Sequence, residues 1–360
     1  MSKFKREFTL KQHTPIIHFQ SEQNGATLRA TELKPKFDRF LLENVKGLPY
    51  IKNINGHKSL DYKVNIEPNL ASSKKIEKGS LFFGNIGDGK EKEYKEYTKP
   101  FKIVFLSFLP EILDAIDNNF EAFLANTNFG TRQSKGYGSF YLANKKFNQD
   151  LVLEKVYTFS SKDWEKNVGL FYQFLRQGIN LSMRPSSPFY TKPIIFAYAK
   201  SKGWQWEKKS IKEKFFANKL QEQQNKHQSD VLLFSSDKKL LLRDLFGLSS
   251  SQEWKSYNVT IEKEHQDIER FQSPITFKIA DERVYFWADK NVQKLLDQEF
   301  TIKVKRKGDL KLSTPKSFSF DDFFAFAFRL NLETYIESKY HKANEYAVLK
   351  KIFNEIKAGL

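Results

Sequence analysis

Alternation of apolar and polar positions at the start of the chain predicts a half-buried strand. Phe4, Phe8 and Leu10 share one side of an extended segment, with mostly polar residues between them. A period of two is the pattern of a strand with one face on a core. Thr14-Pro15 ends or bends this strand, because the residue before a proline is restricted and proline has no N–H.

The next apolar residues recur at helical spacing. Phe37, Phe40 and Leu41 fall on one side of a 3.6-residue repeat. Pro35 suits the first turn of a helix, where its missing N–H would be unpaired in any case. Gly47 follows the last apolar position and predicts the end of the helix.

Four further segments complete a pattern in the N-terminal part. Tyr62–Ile66 and the nearly continuous apolar run Phe101–Phe108 predict strands, and Phe140–Leu142 predicts the start of another. A helix is predicted between the last two strands, opening at Pro110. The charged stretch Lys90–Lys99 suggests an exposed loop. The resulting order β-α-β-β-α-β is that of the ferredoxin-like arrangement.

The second part of the chain is also mixed. The pattern predicts the strand Leu151–Phe159, an amphipathic helix after it, and a charged helix over Lys208–His227. Short strands follow, and two helices close the chain. We therefore predict an α+β protein with two ferredoxin-like (RRM-like) domains and helical insertions. The first domain covers residues 1–148 and carries a glycine-rich loop, and residues 149–360 form a second, decorated domain with C-terminal helices.

Charge narrows the classes of partner. The 360 residues include 60 Lys and Arg against 43 Asp and Glu, a formal net charge of +17. A folded, basic protein attracts phosphate polymers, although a solvated Lys-rich surface would give the same composition. The absence of cysteine excludes disulfides and thiol nucleophiles. No apolar run is long enough to span a bilayer and no signal-peptide pattern opens the chain, so a cytoplasmic location without membrane partners is expected.

One loop combines glycines with basic residues. Gly130, Gly136 and Gly138 punctuate the connection between the second predicted helix and the strand at Phe140. Glycine permits positive φ angles, and exposed backbone amides can bind phosphate oxygens. The loop follows a helix instead of a strand and lacks the Gly-x-x-x-x-Gly-Lys-Ser/Thr spacing. An ATP-binding or dinucleotide-binding loop is therefore disfavoured.

Three other side chains of this loop could contact a nucleic acid. Arg132 supplies a planar guanidinium and Lys135 a point charge. Tyr137 could stack on a base. The alternative is a glycine-rich turn whose basic residues are merely solvated.

Four motifs in order resemble the CRISPR-associated RAMP superfamily, most closely the first subunits of the Cmr-type (type III-B) interference complex. They are the first strand with its Thr-Pro corner, a Leu-Arg…Leu-Lys helix start, a Leu-Phe-Gly turn and the glycine-rich loop, at Phe8–Pro15, Ala26–Lys34, Leu81–Gly84 and Gly130–Ser139. The chain departs from the family pattern at Pro35, where glycine is usual, and at Lys135, where arginine is more usual.

The resemblance implies a fold, a function and a set of contacts. It implies two ferredoxin-like domains, RNA as a partner (guide RNA, target RNA or both), other CRISPR-associated effector subunits as partners, and a role in antiviral defence without catalysis of its own. Carried over to this sequence, the implied contacts to the RNA backbone are Arg29, Lys34, Lys36, Arg39, Arg132 and Lys135, with the glycines and Tyr137 of the loop. Lys36 and Arg39 join this group on charge alone, three residues apart on one helical face.

Two alternatives remain open. Guide-processing ribonucleases of the same superfamily use a histidine as general acid or base, and His13, His18 or His57 could act with Lys11 or Lys58. A basic scaffold protein without RNA is the other alternative. No histidine pair has a diagnostic spacing, so we assign no catalytic residue, no metal site and no cofactor.

The second part contains two more basic and aromatic mixtures. Lys202–Lys209 includes Trp204 and Trp206 and could stack bases or pack on the core. Lys303–Lys307 resembles an edge strand, where lysine also discourages edge pairing. The Phe-rich segment Phe318–Phe328 is expected to be a core or subunit-interface helix.

Overall fold

The structure is a computed structural model that describes residues 3–17, 27–52, 55–67, 71–75, 93–97, 99–227 and 233–360. The motif at Leu81–Gly84, the residue Ala26 and the histidine His18 lie outside the described residues. No helix among the described residues is long and apolar enough to cross a membrane.

The helices and strands alternate irregularly along the chain. The helices are α1 (Ala30–Asn44), α2 (Pro110–Asn126), α3 (Trp164–Arg176), α4 (Ile194–Ser201), α5 (Glu207–Phe215), α6 (Ala217–His227), α7 (Phe320–Arg329), α8 (Leu332–Tyr335) and α9 (Asn344–Ala358). The strands are β1 (Lys5–Gln12), β2 (Ile51–Lys52), β3 (Lys58–Ser59), β4 (Lys63–Ile66), β5 (Ala71–Lys75), β6 (Glu93–Tyr97), β7 (Phe101–Leu106), β8 (Phe140–Leu142), β9 (Tyr157–Ser160), β10 (Ile179–Asn180), β11 (Tyr190–Thr191), β12 (Gln205–Trp206), β13 (Lys239–Leu240), β14 (Leu248–Ser249), β15 (Ser251–Trp254), β16 (Val259–Glu264), β17 (Arg270–Phe271), β18 (Ile275–Ala280), β19 (Arg283–Ala288), β20 (Glu299–Val304) and β21 (Asp309–Ser313). The protein is thus a mixed α+β structure, as predicted.

The chain divides into two units. Unit 1 comprises Met1–Lys166 with Thr276–Trp287, and unit 2 comprises Asn167–Ile275 with Ala288–Leu360. The prediction divides the chain once, at residue 148. In the structure the later segment Thr276–Trp287 belongs to unit 1 as well. A pattern read along the chain cannot reveal a segment that returns to an earlier unit.

Unit 1 is built on a four-stranded antiparallel sheet with the order β4-β7-β1-β8. The predicted sequence β-α-β-β-α-β is realised by β1, α1, β4, β7, α2 and β8. Both helices contribute aromatic rings to one core: the Phe37 ring lies 4.7 Å from Phe123 and 5.8 Å from Phe105 on the sheet. A second sheet, in the order β18-β19-β9, completes the unit.

Two predicted boundaries in unit 1 are wrong. Helix α1 begins at Ala30, so Pro35 lies inside it. Pro35 has no N–H to donate to the carbonyl of Thr31, four residues earlier, and Thr31 is an exposed residue at the start of the helix. The charged stretch around Lys90–Lys99 contains strand β6, whose Tyr97 is buried and stacks on Phe101 at 4.1 Å.

Unit 2 contains a six-stranded mixed sheet with the order β12-β13-β21-β20-β16-β15. Strand β13 pairs in parallel with both β12 and β21. The remaining pairs, β21 with β20, β20 with β16 and β16 with β15, are antiparallel. The Phe-rich segment forms α7 with Phe320, Phe323, Phe324 and Phe328 buried, which confirms its core role. The charged helix predicted over Lys208–His227 is broken at Phe216, whose ring packs on Tyr257 with centroids 4.5 Å apart.

Candidate functional site

The glycine-rich loop has a backbone that requires its glycines. Gly130, Gly136 and Gly138 have φ angles of +79°, +90° and +67°. A Cβ atom on Gly138 would lie 1.8 Å from the carbonyl oxygen of Phe129, and one on Gly136 would lie 2.1 Å from Cδ1 of Ile279. The three glycines therefore serve both the left-handed conformation and a close approach of other atoms.

The Thr-Pro corner is bound to this loop. The backbone N–H of Gly138 donates to the carbonyl of Pro15 at 2.8 Å. Thr14 Oγ1 donates to the carbonyl of Gly136 at 2.7 Å and accepts from the N–H of Ser139 at 2.9 Å. Two motifs that are more than 110 residues apart in sequence thus form one hydrogen-bonded structure.

Helix α1 is bound to the other side of the loop. Glu32 Oε1 accepts from the N–H of Gly130 at 2.7 Å and from Lys36 Nζ at 2.9 Å. Lys36 Nζ also donates to the carbonyl of Asn128 at 3.1 Å and to Gln133 Oε1 at 3.0 Å. We call these contacts, made by Glu32, Lys36, Asn128, Gly130 and Gln133, the α1–loop junction.

The two lysines of α1 are held by protein groups. Lys36 braces the junction, and Lys34 Nζ donates to Asp38 at 2.7 Å and to the carbonyl of Leu60 at 2.8 Å, 4.1 Å from the ring centre of Tyr62. Both side chains are half-buried. Their contacts make them positioning residues for the helix and the loop, and the direct RNA contacts that the resemblance implied for them remain predictions.

Two arginines flank the junction on α1. Arg29 immediately precedes the first residue of the helix and is half-buried, and Arg39 is exposed. Neither forms an ion pair with any residue that the structure describes. Arg29 precedes Glu32 by three residues and Arg39 follows Lys36 by three, so their positions along α1 are within one turn of the junction residues.

The two basic residues of the loop are half-buried. Arg132 has a left-handed φ of +54°, and burial lowers the pKa of its guanidinium from the ordinary value, although arginine stays charged at neutral pH. Lys135 Nζ lies 5.8 Å from the ring centre of Phe277, and its N–H donates to the carbonyl of Arg132 at 2.8 Å. Arg132 lies between Gly130 and Gln133, and this places it beside α1.

Tyr137 has a structural role. It is 2% exposed, its hydroxyl donates to Glu165 Oε1 at 2.9 Å, and its ring packs against Trp164 with centroids 4.9 Å apart. The buried ring offers no free face, which corrects the base-stacking role predicted for it.

Lys278, which the sequence analysis did not single out, bonds to the elements on both sides of the loop. Lys278 of β18 is completely buried, and its Nζ donates to the carbonyls of Leu124, Thr127 and Phe140 at 2.6, 2.7 and 3.1 Å. Burial lowers the pKa of Lys278 well below its ordinary value, while the three carbonyls match the three N–H groups of the ammonium form. The lysine thus caps the C-terminal end of α2 and also bonds to β8. The glycine-rich loop lies between these two elements. The only signal in the sequence is a lysine within an apolar strand, which does not indicate partners 138 to 154 residues away.

The histidines do not form a cluster in the described part of the chain. His13 is mostly buried, its Nδ1 accepts from the N–H of Asp281 at 3.4 Å, and burial lowers its pKa to about 4. Lys11, its proposed partner, pairs with the Asp281 carboxylate at 3.3 Å. His57 is exposed. Among the described residues no group of His, Asp and Glu could hold a metal ion.

Comparison with known proteins adds a family assignment. The model of the Cmr1 N-terminal domain matches residues 3–180, and that of the Cmr1 C-terminal domain matches residues 190–358. No curated protein sequence matches the chain. Among solved structures, the apo form of Cmr1 from Pyrococcus furiosus is similar at 14% identity and a TM-score of 0.32, covering 80% of this chain and 89% of that chain. A TM-score this low carries no argument, so the assignment rests on the two family models.

Proposed function

The chain belongs to the Cmr1 family of RAMP proteins, subunits of type III-B CRISPR complexes, and we propose that it is the non-catalytic subunit that binds guide or target RNA through the sugar–phosphate backbone. Other effector subunits of the complex are its protein partners. We further propose a cytoplasmic location and a ferredoxin-like description for both halves, divided near residue 148.

The α1–loop junction is the observation that carries the RNA-binding proposal. It binds α1 to the glycine-rich loop, which is itself hydrogen-bonded to the Thr-Pro corner, and Arg29, Arg39 and Arg132 belong to these same elements. Cations on rigid elements neutralise phosphates, which supplies sequence-independent affinity. Base pairing within the RNA would then carry the specificity, as in other guided systems.

The proposal assigns no catalysis to this surface. A histidine that acts on a ribose hydroxyl must reach that hydroxyl within hydrogen-bond distance. His13 is the candidate nearest the loop among the described residues, and it is largely buried with its Nδ1 bonded to backbone. A discrete cleavage product from repeat RNA without metal, lost in His13→Ala, would replace the proposal by the ribonuclease alternative.

The test uses the two arginines at α1, the half-buried Arg29 and the exposed Arg39, and a control of equal charge. Arg29→Ala with Arg39→Ala removes two positive charges beside the loop. Arg270→Ala with Arg329→Ala removes the same charge from two exposed positions in unit 2. Affinity for a labelled single-stranded RNA is measured as a function of salt. For two lost contacts we expect weaker binding and a slope of log K against log salt shallower by about 1.4, since each phosphate contact on a single strand contributes about 0.7.

Two results would contradict the proposal. The first is wild-type protein that shows no RNA affinity at low salt and purifies without RNA, as read from the ratio of absorbance at 260 and 280 nm. The second is an equal loss of affinity in both double variants, because net charge alone would then explain binding.

A further inference from the structure

A group of four lysines in unit 2 surrounds three aromatic rings. The two helices of the broken charged segment and the turn between β20 and β21 bring them together, although they span a hundred positions of sequence. We call this group the lysine–aromatic cluster; its members are Lys208 and Lys212 of α5, Lys219 of α6, Lys307 of the turn, and the rings of Phe216, Trp254 and Tyr257.

The three aromatic rings of the cluster pack against one another. Phe216 lies 4.5 Å from Tyr257 and 6.3 Å from Trp254, and Trp254 lies 5.6 Å from Tyr257, measured between ring centres. Each of the three residues is less than 10% exposed. The three rings therefore offer no large apolar surface to solvent.

The four ammonium groups lie over these rings. Their distances from ring centres are 4.2 Å for Lys307 on Phe216, 5.4 and 5.6 Å for Lys219 and Lys212 on Tyr257, and 5.9 Å for Lys208 on Trp254. Such contacts attract a cation weakly and leave its charge uncompensated.

The hydrogen-bond partners of the cluster are also neutral. Lys212 Nζ donates to Gln223 Oε1 at 2.6 Å, and Lys307 Nζ donates to the carbonyl of Phe215 at 2.9 Å. None of the four lysines forms an ion pair with a residue in the described ranges. Lys212 is only 6% exposed, and a lysine is rarely so buried without a counter-charge.

Nearby carboxylates on α5 are already engaged. Glu207 pairs with Arg243, and Glu213 lies 3.6 Å from Lys209 and 3.4 Å from Lys239. Burial, with smaller contributions from Arg243 and Lys212, lowers the pKa of Lys208 to about 8. The repulsion among these cations would be relieved by an anion placed over them.

We propose that the lysine–aromatic cluster is a second RNA-contact surface, which holds phosphates of the sugar–phosphate backbone. The inference rests on the proposed RNA-binding function and extends it to unit 2. Base stacking has no part in it, because the rings are covered by the protein.

The composition of the surface favours RNA over an acidic protein. Protein interfaces have an apolar core in which lysine is depleted. Here the rings are buried, and the surrounding turns add the exposed cations Lys255, Lys305 and Arg306. Interfaces with nucleic acid are more polar and much more positively charged than interfaces with protein.

The experiment compares two double variants of the full chain. Lys208→Gln with Lys219→Gln removes two charges from the cluster and keeps much of each stem. Lys294→Gln with Lys316→Gln removes two exposed lysines elsewhere in unit 2, and Lys316 lies beyond the end of β21 opposite the turn. The probe is a fluorescein-labelled oligouridine, titrated at several salt concentrations. We expect about tenfold weaker binding at low salt and a slope shallower by about 1.4 for the cluster variant, and little change for the control.

Four further readings make the outcome decisive. Lys208→Arg with Lys219→Arg should restore affinity, which separates charge from packing. Polyglutamate serves as a second probe: if the cluster variant loses polyglutamate binding while RNA binding is unchanged, the surface recognises an acidic protein and the inference is overturned. Unchanged RNA affinity in the cluster variant, with weakened affinity in the Arg29→Ala, Arg39→Ala protein, overturns this inference alone. Absence of RNA binding in the wild type removes the proposed function as well.

Discussion

Replacement of Gly138 by alanine tests whether the close approach at the loop is real. The N–H of Phe129 donates to the carbonyl of Gly138 at 2.9 Å, and a Cβ on residue 138 would lie 1.8 Å from the Phe129 carbonyl oxygen and 2.7 Å from its carbon. These are backbone atoms, so no side-chain rotation can make room. The chain would have to move away from Phe129 and from Pro15, whose carbonyl accepts the Gly138 N–H.

The expected loss of stability has three parts. A non-glycine residue in the left-handed region costs about 1 kcal/mol. Overpacking adds about 1–3 kcal/mol, and two weakened hydrogen bonds add about 1 kcal/mol each. We expect Gly138→Ala to lower the free energy of unfolding by about 4–6 kcal/mol, a large fraction of the stability of a domain.

Gly47 provides the matched control within unit 1. Its φ is +79°, and a Cβ there would meet no atom within 4 Å. Gly47→Ala should therefore show only the conformational cost of about 1 kcal/mol. Urea unfolding followed by tryptophan fluorescence measures both variants, since Trp164 packs on Tyr137 beside the loop. An equal loss of unfolding free energy in the two variants would refute the close approach of Gly138 to the Phe129 backbone.

Three more predictions concern the surroundings of the loop. Lys278→Met should lower the free energy of unfolding by about 2–4 kcal/mol, because three buried carbonyls lose their donor; a loss below about 1 kcal/mol in urea unfolding would contradict the capping role. Arg132→Gly should weaken RNA binding while the loop keeps its backbone, because glycine adopts a φ of +54° without strain; unchanged affinity would remove Arg132 from the interface. His13, with a folded pKa of about 4 against an ordinary value of 6.5, remains neutral in the folded state while the unfolded chain takes up a proton. Its contribution to stability is present above pH 6.5 and is lost as the pH falls towards 4, by about 1.4 kcal/mol per unit; unfolding measured across this window should show a smaller acid dependence in His13→Gln, and equal dependence would refute the assignment.

Local patterns predicted much of unit 1. The alternation around Phe8 corresponds to β1, and the spacing of Phe37 and Phe40 falls within α1. The glycine-rich loop lies between α2 and β8, where the sequence placed it. These features depend on neighbours a few residues apart, whose periodicity is visible along the chain.

The start of α1 and the break at Phe216 show where such patterns fail. Propensity predicts that a proline opens a helix, but α1 extends five residues further back, to Ala30. The charged helix after Lys208 reads as continuous, yet Phe216 leaves it and packs on Tyr257. In both cases tertiary packing outweighs a local preference, which is about 3 kcal/mol for the proline inside α1 and below about 1 kcal/mol for an ordinary residue such as Phe216.

What the sequence alone determined is the order of elements in the first half, the basic character of the chain and the position of the glycine-rich loop. Only the tertiary structure decided which cations face outward. Lys34 and Lys36 are equivalent to Arg39 on charge, but they are bound by Asp38 and Glu32, while Arg39 is exposed. Tyr137 and Lys278 are buried by contacts with residues distant in sequence. Such partners become neighbours only when the sheet and its helices pack, and hydrogen bonds and burial then fix the role of each side chain.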